Sequence, residues 1–476
     1  MSAITASNTA FSVPHVVTKQ LKMNEASGRK KVRISSNFIQ MMGFEPGQRI
    51  VAVPSIAGGF DIRPSETGPQ KVHTRRYNRQ RSNNPLESLI ELSSTQLINS
   101  TFPPGTERFH TKMTRNQIQV RPIPNRAFNI AKRFKGVDPY RALVAMTGGV
   151  DIHCLERAGF KSDVVIEYRP QERRDINAGR NLEEVHALNT TRNGAPKLLI
   201  NEDIYQINPD QLKQLCAGHD LLSLGVFSIQ CDDFSNIKSN TQKARSVQDQ
   251  STSIDMVYPV LRNIEVMQYP VTMIENVRGF QDHAAGTILK SMLGRMGYRC
   301  HEMVLDARDY GGIQSRTRYY LVATIFPGFE PPQPQARPTN SIWPIIEKHL
   351  ADCRDVTDTG YIKARARSHR TSRPLTREST YTPTIVKSQA RGIKDGVYIE
   401  DGGRVYAPSE GLIQELMSIP DDFDVSWMAQ EQAIETLGQS IDYKLHHAVA
   451  EAVRQHIELN LGQTPIAKHH HQASLL

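Results

Sequence analysis

The hydrophobic and polar positions divide the chain into stretches of different character. Residues 1–28 are polar and show no hydrophobic period, which predicts a disordered tail. Across residues 29–124, short apolar runs and Pro-Gly turns alternate with strand-like segments such as 49–53 and 117–120, and this pattern predicts a small β domain. Across residues 140–325, apolar strands alternate with helical segments, which predicts a parallel sheet covered by helices on both faces.

The pattern changes again after residue 325. Residues 327–344 contain six prolines, and residues 359–377 contain six Lys and Arg but no acid. Helical periodicity returns after residue 401 and is clearest in residues 448–459. We therefore expect a separate region at 326–400, a return to the α/β domain at 401–462, and a flexible tail at 463–476.

The predicted β domain is an internal repeat. Four features recur 58 residues later without a gap, namely Ser35-Ser36 as Ser93-Ser94, Phe44 as Phe102, Pro46-Gly47 as Pro104-Gly105, and Arg63-Pro64 as Arg121-Pro122. A shared offset in four places indicates a duplication. The repeat resembles the AbrB/SymE-like swapped-hairpin β domains, in which two copies form one barrel, and this resemblance implies that the tandem copies pair within one chain.

The duplicated module has two candidate roles, DNA binding and self-association. Residues 71–81, between the copies, are basic and include Tyr77. Such a segment is about equally typical of a solvated loop and of an arm that contacts phosphates.

Composition narrows the function classes. The chain has 476 residues with 58 Lys and Arg against 49 Asp and Glu, a net charge of +9, which favours a polyanionic partner. The five cysteines are scattered without a C-x-x-C pair, so we expect neither a disulfide scaffold nor a metal site. No apolar window is long enough for a membrane helix and no secretory signal is present, so we expect a cytoplasmic protein without a membrane partner.

Candidate cofactor residues follow the first predicted strands. Gly148 and Gly149 follow the strand at 142–146, where glycines let a backbone approach a ligand and a helix N-terminus favours its carboxylate. Glu167 ends the next strand, where nucleotide-binding folds place an acid on ribose hydroxyls. Asp203 follows the third strand.

Candidate catalytic residues follow the later strands. Cys231 lies in Phe227-Ser-Ile-Gln-Cys-Asp-Asp-Phe-Ser235, directly after an apolar strand. Glu275 lies in Glu-Asn-Val, and Gln314, Arg316 and Arg318 form a Gln-x-Arg-x-Arg run. Gly438-Gln-Ser440 closes the series.

Taken in order, these motifs resemble those of the DNA cytosine carbon-5 methyltransferases. The resemblance covers the C-terminal two thirds and implies an α/β fold: a Rossmann-like S-adenosylmethionine-dependent methyltransferase domain with a small target-recognition region at 326–400, here preceded by the duplicated, mainly β module. It implies that S-adenosylmethionine is the cofactor, bound by Gly148, Gly149, Glu167, Asp203, Gly438 and Ser440. Double-stranded DNA would be the partner, with Gln314, Arg365, Arg367, Arg370 and Ser235 as its contacts.

The resemblance also implies a mechanism. Cys231 would add as a thiolate to carbon 6 of a flipped-out cytosine, and carbon 5 would then take the methyl group. Glu275 would hold ring nitrogen 3 and the exocyclic amine, while Arg316 and Arg318 would fix the nucleotide and favour the thiolate. Residues 235–245 would form a mobile basic loop that closes over the base.

The chain departs from the family pattern at four positions. Val144 stands where an aromatic residue is usual, and Met146 stands where glycine is usual. Gln230 and Asp232 replace the Pro and Gln that flank the nucleophile, and a carboxylate beside a thiol is expected to raise its pKa.

Two other functions stay open from the sequence. One is an RNA cytosine carbon-5 methyltransferase of the same fold. The other is a DNA-binding regulator that keeps the scaffold without turnover. The intact Glu-Asn-Val and Gln-x-Arg-x-Arg motifs favour an enzyme, of prokaryotic or mobile-element origin, whereas Gln230 and Asp232 favour the regulator.

Overall fold

The computed structural model describes residues 12–26, 28–76, 86–216, 221–235, 238–366, 374–393 and 396–462. The chain forms two compact units, Met1–Asn129 and Ile130–Leu476. Each unit has its own hydrophobic core.

The first unit is mainly β, as the sequence predicts. Its strands are β1 (Val17–Lys22), β2 (Asn24–Ala26), β3 (Arg29–Ser35), β4 (Arg49–Pro54), β5 (Phe60–Pro64), β6 (Gln70–Lys71), β7 (His73–Arg76), β8 (Leu86–Leu92), β9 (Arg108–Thr114) and β10 (Gln117–Ile123). Its helices are α1 (Phe38–Met41) and α2 (Thr95–Thr101), and α3 (Arg126–Arg133) leads into the second unit.

The two copies of the repeat pair with each other in this unit. One sheet has the order β1-β9-β10-β5-β4-β6, and the other has the order β2-β3-β8-β7. The copies correspond strand by strand: β1 to β6, β2 to β7, β3 to β8, β4 to β9 and β5 to β10. Replacing every strand by its counterpart gives the same strand order in each sheet, read from the opposite edge. The unit is therefore an intramolecular pseudo-dimer with an approximate two-fold axis.

The strands before each copy belong to the repeat, and the sequence did not predict them. β1 pairs with β9 of the second copy, and β6 pairs with β4 of the first. The predicted disordered tail is therefore wrong for residues 17–26, which form β1 and β2; residues 1–11 and 27 lie outside the described part of the chain.

The second unit contains twelve strands within the described ranges. They are β11 (Arg141–Ala145), β12 (Lys161–Ile166), β13 (Leu198–Ile200), β14 (Leu224–Ser228), β15 (Val271–Val277), β16 (Arg299–Asp306), β17 (Gln314–Ser315), β18 (Thr317–Thr324), β19 (Arg354–Asp355), β20 (Thr382–Pro383), β21 (Ile399–Asp401) and β22 (Arg404–Ala407).

Helices flank these strands along the same unit. They are α4 (Val150–Arg157), α5 (Arg173–Asn177), α6 (Val185–Asn193), α7 (Pro209–Leu215), α8 (Asn240–Gln248), α9 (Val257–Met267), α10 (Ala284–Arg295), α11 (Trp343–His349), α12 (Gly360–Ala366), α13 (Glu410–Leu416), α14 (Gln430–Gln439) and α15 (Tyr443–Leu461).

The main sheet has the order β13-β12-β11-β14-β15-β18-β16. The first five strands are parallel, and β18 runs antiparallel between β15 and β16. Strand order reverses beside β11, the first strand of the sheet in the chain. Open sheets of this kind bind ligands at the carboxyl ends of their strands, at that point of reversal.

A smaller subdomain follows the main sheet. β19, β22 and β21 form a three-stranded sheet, so the predicted region at 326–400 extends to Ala407. After it come α13 to α15, and α15 packs against α4. No helix in the described ranges is both long enough and apolar enough to cross a membrane.

Candidate active site

The turn after β11 has an unusual backbone. Met146, Gly148 and Gly149 have φ values of 65°, 71° and 100°, all in the left-handed region. Glycine adopts this conformation without a steric penalty, whereas Met146 carries a Cβ that crowds the following carbonyl. The family usually has glycine at the position of Met146, and the left-handed backbone there explains why. In this chain Met146 adopts that backbone conformation with strain.

Glu167 holds this turn. Its Oε1 accepts hydrogen bonds from Thr147 N at 2.7 Å, Thr147 Oγ1 at 2.8 Å and Gly148 N at 2.9 Å. Its Oε2 is buried and has no hydrogen-bond partner among the described residues. Burial raises the pKa of Glu167 to about 7 against the opposing effect of these donors.

The other predicted cofactor residues divide into two groups. Asp203 is half-buried beyond β13, and its Oδ1 accepts from Tyr205 N. Gly438 and Ser440 have structural contacts instead: a Cβ on Gly438 would lie 2.5 Å from Val386 O, and Ser440 Oγ donates to Leu437 O. The structure thus gives packing reasons for Gly438 and Ser440.

A pair that sequence reasoning did not single out lies over the glycine turn. Gln439 Nε2 and His186 Nε2 are 2.7 Å apart, and both side chains come within 4.0 Å of a Cβ built on Gly148. Burial lowers the pKa of His186 to about 3, so its ring is neutral and can accept from the amide. Gln439, at the end of α14, therefore lies beside the glycine turn that follows β11.

Cys231 stands at the carboxyl end of β14, and its loop is tied down on both sides. Before it, Asn276 Nδ2 donates to Ile229 O at 2.9 Å. After it, Cys231 O accepts from Phe234 N and Ser235 N. Phe234 packs edge-on against Phe280, with ring centroids 4.9 Å apart. The half-buried thiol therefore sits on a fixed loop.

Glu275 and Arg318 meet beside this loop. Glu275 lies opposite Ser228 in the ladder between β14 and β15, and Arg318 Nε lies 3.1 Å from Glu275 Oε1. Burial raises the pKa of Glu275, while the positive charge of Arg318 opposes that rise. A raised pKa favours the protonated carboxyl, which can donate to a ring nitrogen.

Nearby charges of both signs act on the pKa of the Cys231 thiol. Burial raises the pKa of Cys231, Arg318 lowers it, and Asp232 and Glu275 raise it, leaving it above its ordinary value. The predicted effect of Asp232 is thus confirmed. Asp232 is exposed and its Oδ2 accepts from Gln230 Nε2 at 2.6 Å, so the two unusual residues satisfy each other.

Backbone carbonyls hold the Arg316 side chain. It is buried, and its guanidinium donates to Ile385 O at 2.9 Å and to Ser440 O. Burial lowers the pKa of Arg316 to about 9, so it stays positive near neutral pH and still lowers the pKa of Cys231. Its charge therefore acts on the thiol while backbone carbonyls hold its side chain, and its predicted contact with the nucleotide stays a prediction.

A buried acid, Asp151, lies behind the site in the first turn of α4. Its Oδ2 accepts from Ser228 Oγ at 2.8 Å, and burial raises its pKa to about 7. Its charge acts on both Glu167 and Glu275, so it links the two halves of the site. In the sequence, its position two residues after Gly149 is the one feature that points to this role.

Two of the five predicted DNA contacts, Gln314 and Arg365, are buried. Gln314 is fully buried and accepts from Ile385 N, and Arg365 is buried with its guanidinium on Gly396 O and over the Tyr398 ring. Both have structural contacts within their own region, and their predicted contacts with DNA stay predictions. Ser235 is half-buried beside Cys231, while Arg367 and Arg370 lie outside the described residues.

The predicted mobile loop at 235–245 is partly a helix. α8 begins at Asn240, and Asp233 anchors the segment by accepting from Lys238 Nζ at 2.6 Å and Ser246 Oγ at 2.9 Å. Asp233 also accepts from Ser253 N at 2.8 Å. These partners hold the pKa of Asp233 well below its ordinary value, so its charge keeps the segment in place near neutral pH. No cluster of His, Cys, Asp and Glu suited to a metal occurs in the described ranges.

Residues 143–327 match the family model of C-5 cytosine-specific DNA methylases. This part of the chain is therefore similar to the C-5 cytosine-specific DNA methylases. The match runs from β11 beyond β18 and so includes the glycine turn, Glu167, Cys231, Glu275 and Arg318. The family implies S-adenosylmethionine as the cofactor.

Relatives agree with this assignment. The chain is 27% identical over 271 residues to the type II methyltransferase M.MspI of Moraxella sp, a match that covers 52% of this chain and 59% of that relative. It is 28% identical over 256 residues to the type II methyltransferase M.NlaX of Neisseria lactamica, covering 50% of this chain and 76% of the relative.

Solved structures agree on the fold. The methyltransferase EhMeth of Entamoeba histolytica superposes with a TM-score of 0.53 at 14% identity, covering 68% of this chain and all of that one. A DNMT2 mutant of Spodoptera frugiperda gives 0.50 at 15% identity, covering 66% and 99%. The sequence-based predictions of family and fold class are confirmed.

Proposed function

We propose that this protein transfers a methyl group from S-adenosylmethionine to carbon 5 of cytosine in double-stranded DNA. One observation carries the proposal: Cys231, Glu275 and Arg318 converge at the carboxyl edge of the sheet, next to the glycine turn that Glu167 holds. That edge is where such sheets bind ligands.

The residues at the glycine turn fit the cofactor. Glu167 Oε2, which is buried without a partner in the described part of the chain, suits a ribose hydroxyl. Gly148 and Gly149 leave the backbone bare at the start of α4, where the helix N-terminus favours a carboxylate. When bound, the cofactor supplies an electrophilic methyl on a sulfonium.

The chain's own residues would prepare the base. The Cys231 thiolate forms a bond to carbon 6, and the ring electrons move toward nitrogen 3, where protonated Glu275 holds or gives the proton. Carbon 5 then takes the methyl group. A water molecule then takes the carbon 5 proton, the electrons of that C–H bond form the 5,6 double bond, and the carbon 6–sulfur bond breaks to release the Cys231 thiolate. The proton on nitrogen 3 returns to Glu275, and the aromatic ring is restored. Arg318 stabilises the Cys231 thiolate before the attack, and it stabilises the Glu275 carboxylate after Glu275 has given its proton.

The proposed role of the N-terminal module is duplex binding. Residues 1–129 carry 18 Lys and Arg against seven Asp and Glu, whereas residues 130–476 carry 40 against 42. The whole net positive charge of the chain therefore lies in the module, and positive charge dominates nonspecific affinity for DNA.

The function is tested on the nucleophile. Cys231→Ser should abolish methyl transfer, by at least about a thousandfold given the weak nucleophilicity of a hydroxyl, yet leave cofactor affinity unchanged. Glu167→Gln is the reciprocal variant and should weaken cofactor binding by about 1–3 kcal/mol in calorimetry. A duplex containing 5-fluorocytosine should trap Cys231 covalently in the native protein.

The same experiment separates the alternatives. A trapped adduct on RNA but not on DNA would indicate the RNA methyltransferase. Duplex binding with no adduct on either nucleic acid would indicate a regulator without turnover, and would contradict the proposed mechanism.

A further inference from the structure

The pseudo-two-fold axis of the N-terminal module passes through two pairs of residues. Arg33 faces Glu91 between β3 and β8, and Glu91 is also the residue 58 positions after Arg33 in the repeat. Asp61 faces Gln119 between β5 and β10, and Gln119 is likewise 58 positions after Asp61. In a true two-fold dimer of either copy, each of these residues would face itself.

At the first pair, the two copies differ in the sign of their charge. Glu91 lies 3.9 Å from Arg33 Nε and 3.3 Å from Lys31 Nζ. Two first copies paired together would place Arg33 opposite Arg33, and two second copies would place Glu91 opposite Glu91. Like charges directly opposite in a sheet are destabilising.

At the second pair, one copy supplies an acid and the other supplies its donors. Asp61 accepts from Arg121 Nη2 at 2.6 Å and from Gln117 Nε2 at 3.1 Å, and its side chain is 17% exposed. Two first copies would place Asp61 opposite Asp61. Two second copies would leave Arg121 without this carboxylate, because Gln119 occupies the equivalent position.

Shape adds a third difference at the same crossing. Gly59 has a φ of 68°, and a Cβ built on it would lie 2.0 Å from Val120 O. The equivalent residue of the second copy is Gln117, whose side chain instead reaches Asp61. A pair of second copies would have to fit a glutamine where only a glycine fits here.

From these differences we propose that the two copies recognise each other and reject pairing with their own kind, so that the module closes within one chain and does not mediate self-association. The attraction itself is weak, because exposed ion pairs contribute little. Discrimination comes mainly from the first crossing, where both wrong pairings place like charges opposite each other, and a pair of second copies also lacks the Asp61 carboxylate at the second crossing. Under this proposal, the partner of each copy is the other copy of the same chain.

The test reverses the charges on the axis in the full chain. Arg33→Glu and Glu91→Arg each place like charges opposite each other within one chain, and each should lower the melting temperature of the module by a few degrees. The double variant restores an opposite-charge pair and should return to the wild-type value. Lys112→Glu, an exposed strand residue that faces Thr18 and Gln119, is the matched control and should have little effect.

Co-expression of two differently tagged chains tests the choice of partner. Arg33→Glu and Glu91→Arg chains should co-purify, because exchanging copies between the chains puts Arg opposite Glu in both modules. Two tagged wild-type chains should not exchange modules.

Two results would overturn the proposal. One is a double variant as destabilised as the single variants, which decides the matter even where the single variants do not fold. The other is wild-type chains that exchange modules as readily as the two single variants do. Neither measurement depends on methyl transfer.

Discussion

At the scale of single residues, two carboxyls control the chemistry of the site through burial rather than through contact with solvent. Glu167 and Asp151 both have a pKa of about 7 because burial disfavours their charged forms. The sequence identified Glu167 because it ends a strand in a nucleotide-binding pattern. It did not identify Asp151, because an acid in a first helical turn is usually an exposed residue that favours the helix dipole.

The pKa of Asp151 predicts how stability depends on pH. In the unfolded chain Asp151 titrates near its ordinary pKa of about 3.9. Between that pH and about 7 the folded protein holds a proton that the unfolded chain has released, so the free energy of unfolding falls as pH rises through this window. Asp151→Asn does not titrate, and urea unfolding should show a shallower pH slope, by up to about 4 kcal/mol across the window at about 1.36 kcal/mol per pKa unit.

Ser228→Ala is the companion variant for this prediction. The Ser228 hydroxyl lowers the pKa of Asp151, so its removal should extend the falling part of the curve to higher pH. Equal slopes for wild type and Asp151→Asn would mean that Asp151 is ionised throughout and that its burial is compensated by other groups.

Two arginines of the site show why a motif does not determine the contacts of each of its residues. Arg316 and Arg318 are two positions apart in one motif, and the motif predicts the same role for both. Arg318 pairs with Glu275, whereas Arg316 is taken by the carbonyls of Ile385 and Ser440. Those carbonyls come from segments about 70 and 124 residues away along the chain, and no local pattern encodes such contacts.

At the scale of elements, hydrophobic periodicity predicted the helices and strands whose apolar faces are evident within the segment itself. β11 and α15 lie near the strand predicted at 142–146 and the helix predicted at 448–459, because their apolar faces repeat at strand or helix spacing. β1 was missed because its alternating side chains are only half-buried and its partner β9 lies about 90 residues further along. The duplication predicted the pairing of copies but not the strands before each copy, where the sequences have diverged.

The end of α9 gives a stability prediction at this scale. Gln268 follows the helix with φ 58° and ψ 51°, the left-handed conformation that glycine usually provides after a helix. Gln268→Gly should relieve about 1 kcal/mol of backbone strain and raise the melting temperature of the methyltransferase unit by about 2–4 °C. Its half-buried side chain makes no hydrogen bond among those found in the described residues.

The control for this prediction is a glutamine with ordinary helical geometry. Gln211→Gly, at an exposed position inside α7, should lower the melting temperature because glycine is a poor residue within a helix. Calorimetry that shows both variants shifted downward would mean that the packing of Gln268 outweighs its backbone strain.

At the scale of the whole molecule, charge divides along the same line as the two compact units. The second unit is nearly neutral, with 40 basic and 42 acidic residues, so its electrostatic field attracts a polyanion only weakly. The buried Arg365 strengthens this conclusion, because part of the basic run at 359–377 stabilises its own subdomain. Charge, family and fold together favour a division of labour in which the module supplies affinity and the second unit supplies chemistry and base recognition.

Lys71 and Arg75 provide the test of this division. Both are exposed, on β6 and β7, at the start of the basic segment between the copies. Changing both to alanine should weaken binding to every duplex alike and reduce the slope of log affinity against log salt by up to about 1.8, since each phosphate contact contributes about 0.9. Lys213→Ala with Arg295→Ala removes one lysine and one arginine that are exposed on the second unit, and should leave the slope nearly unchanged. Fluorescence anisotropy over a salt series measures the affinity of both double variants.

If the salt slope falls only in the Lys213→Ala, Arg295→Ala variant, nonspecific DNA binding belongs to the second unit and not to the module. A loss of affinity confined to one DNA sequence would show that Lys71 and Arg75 contact bases rather than phosphates.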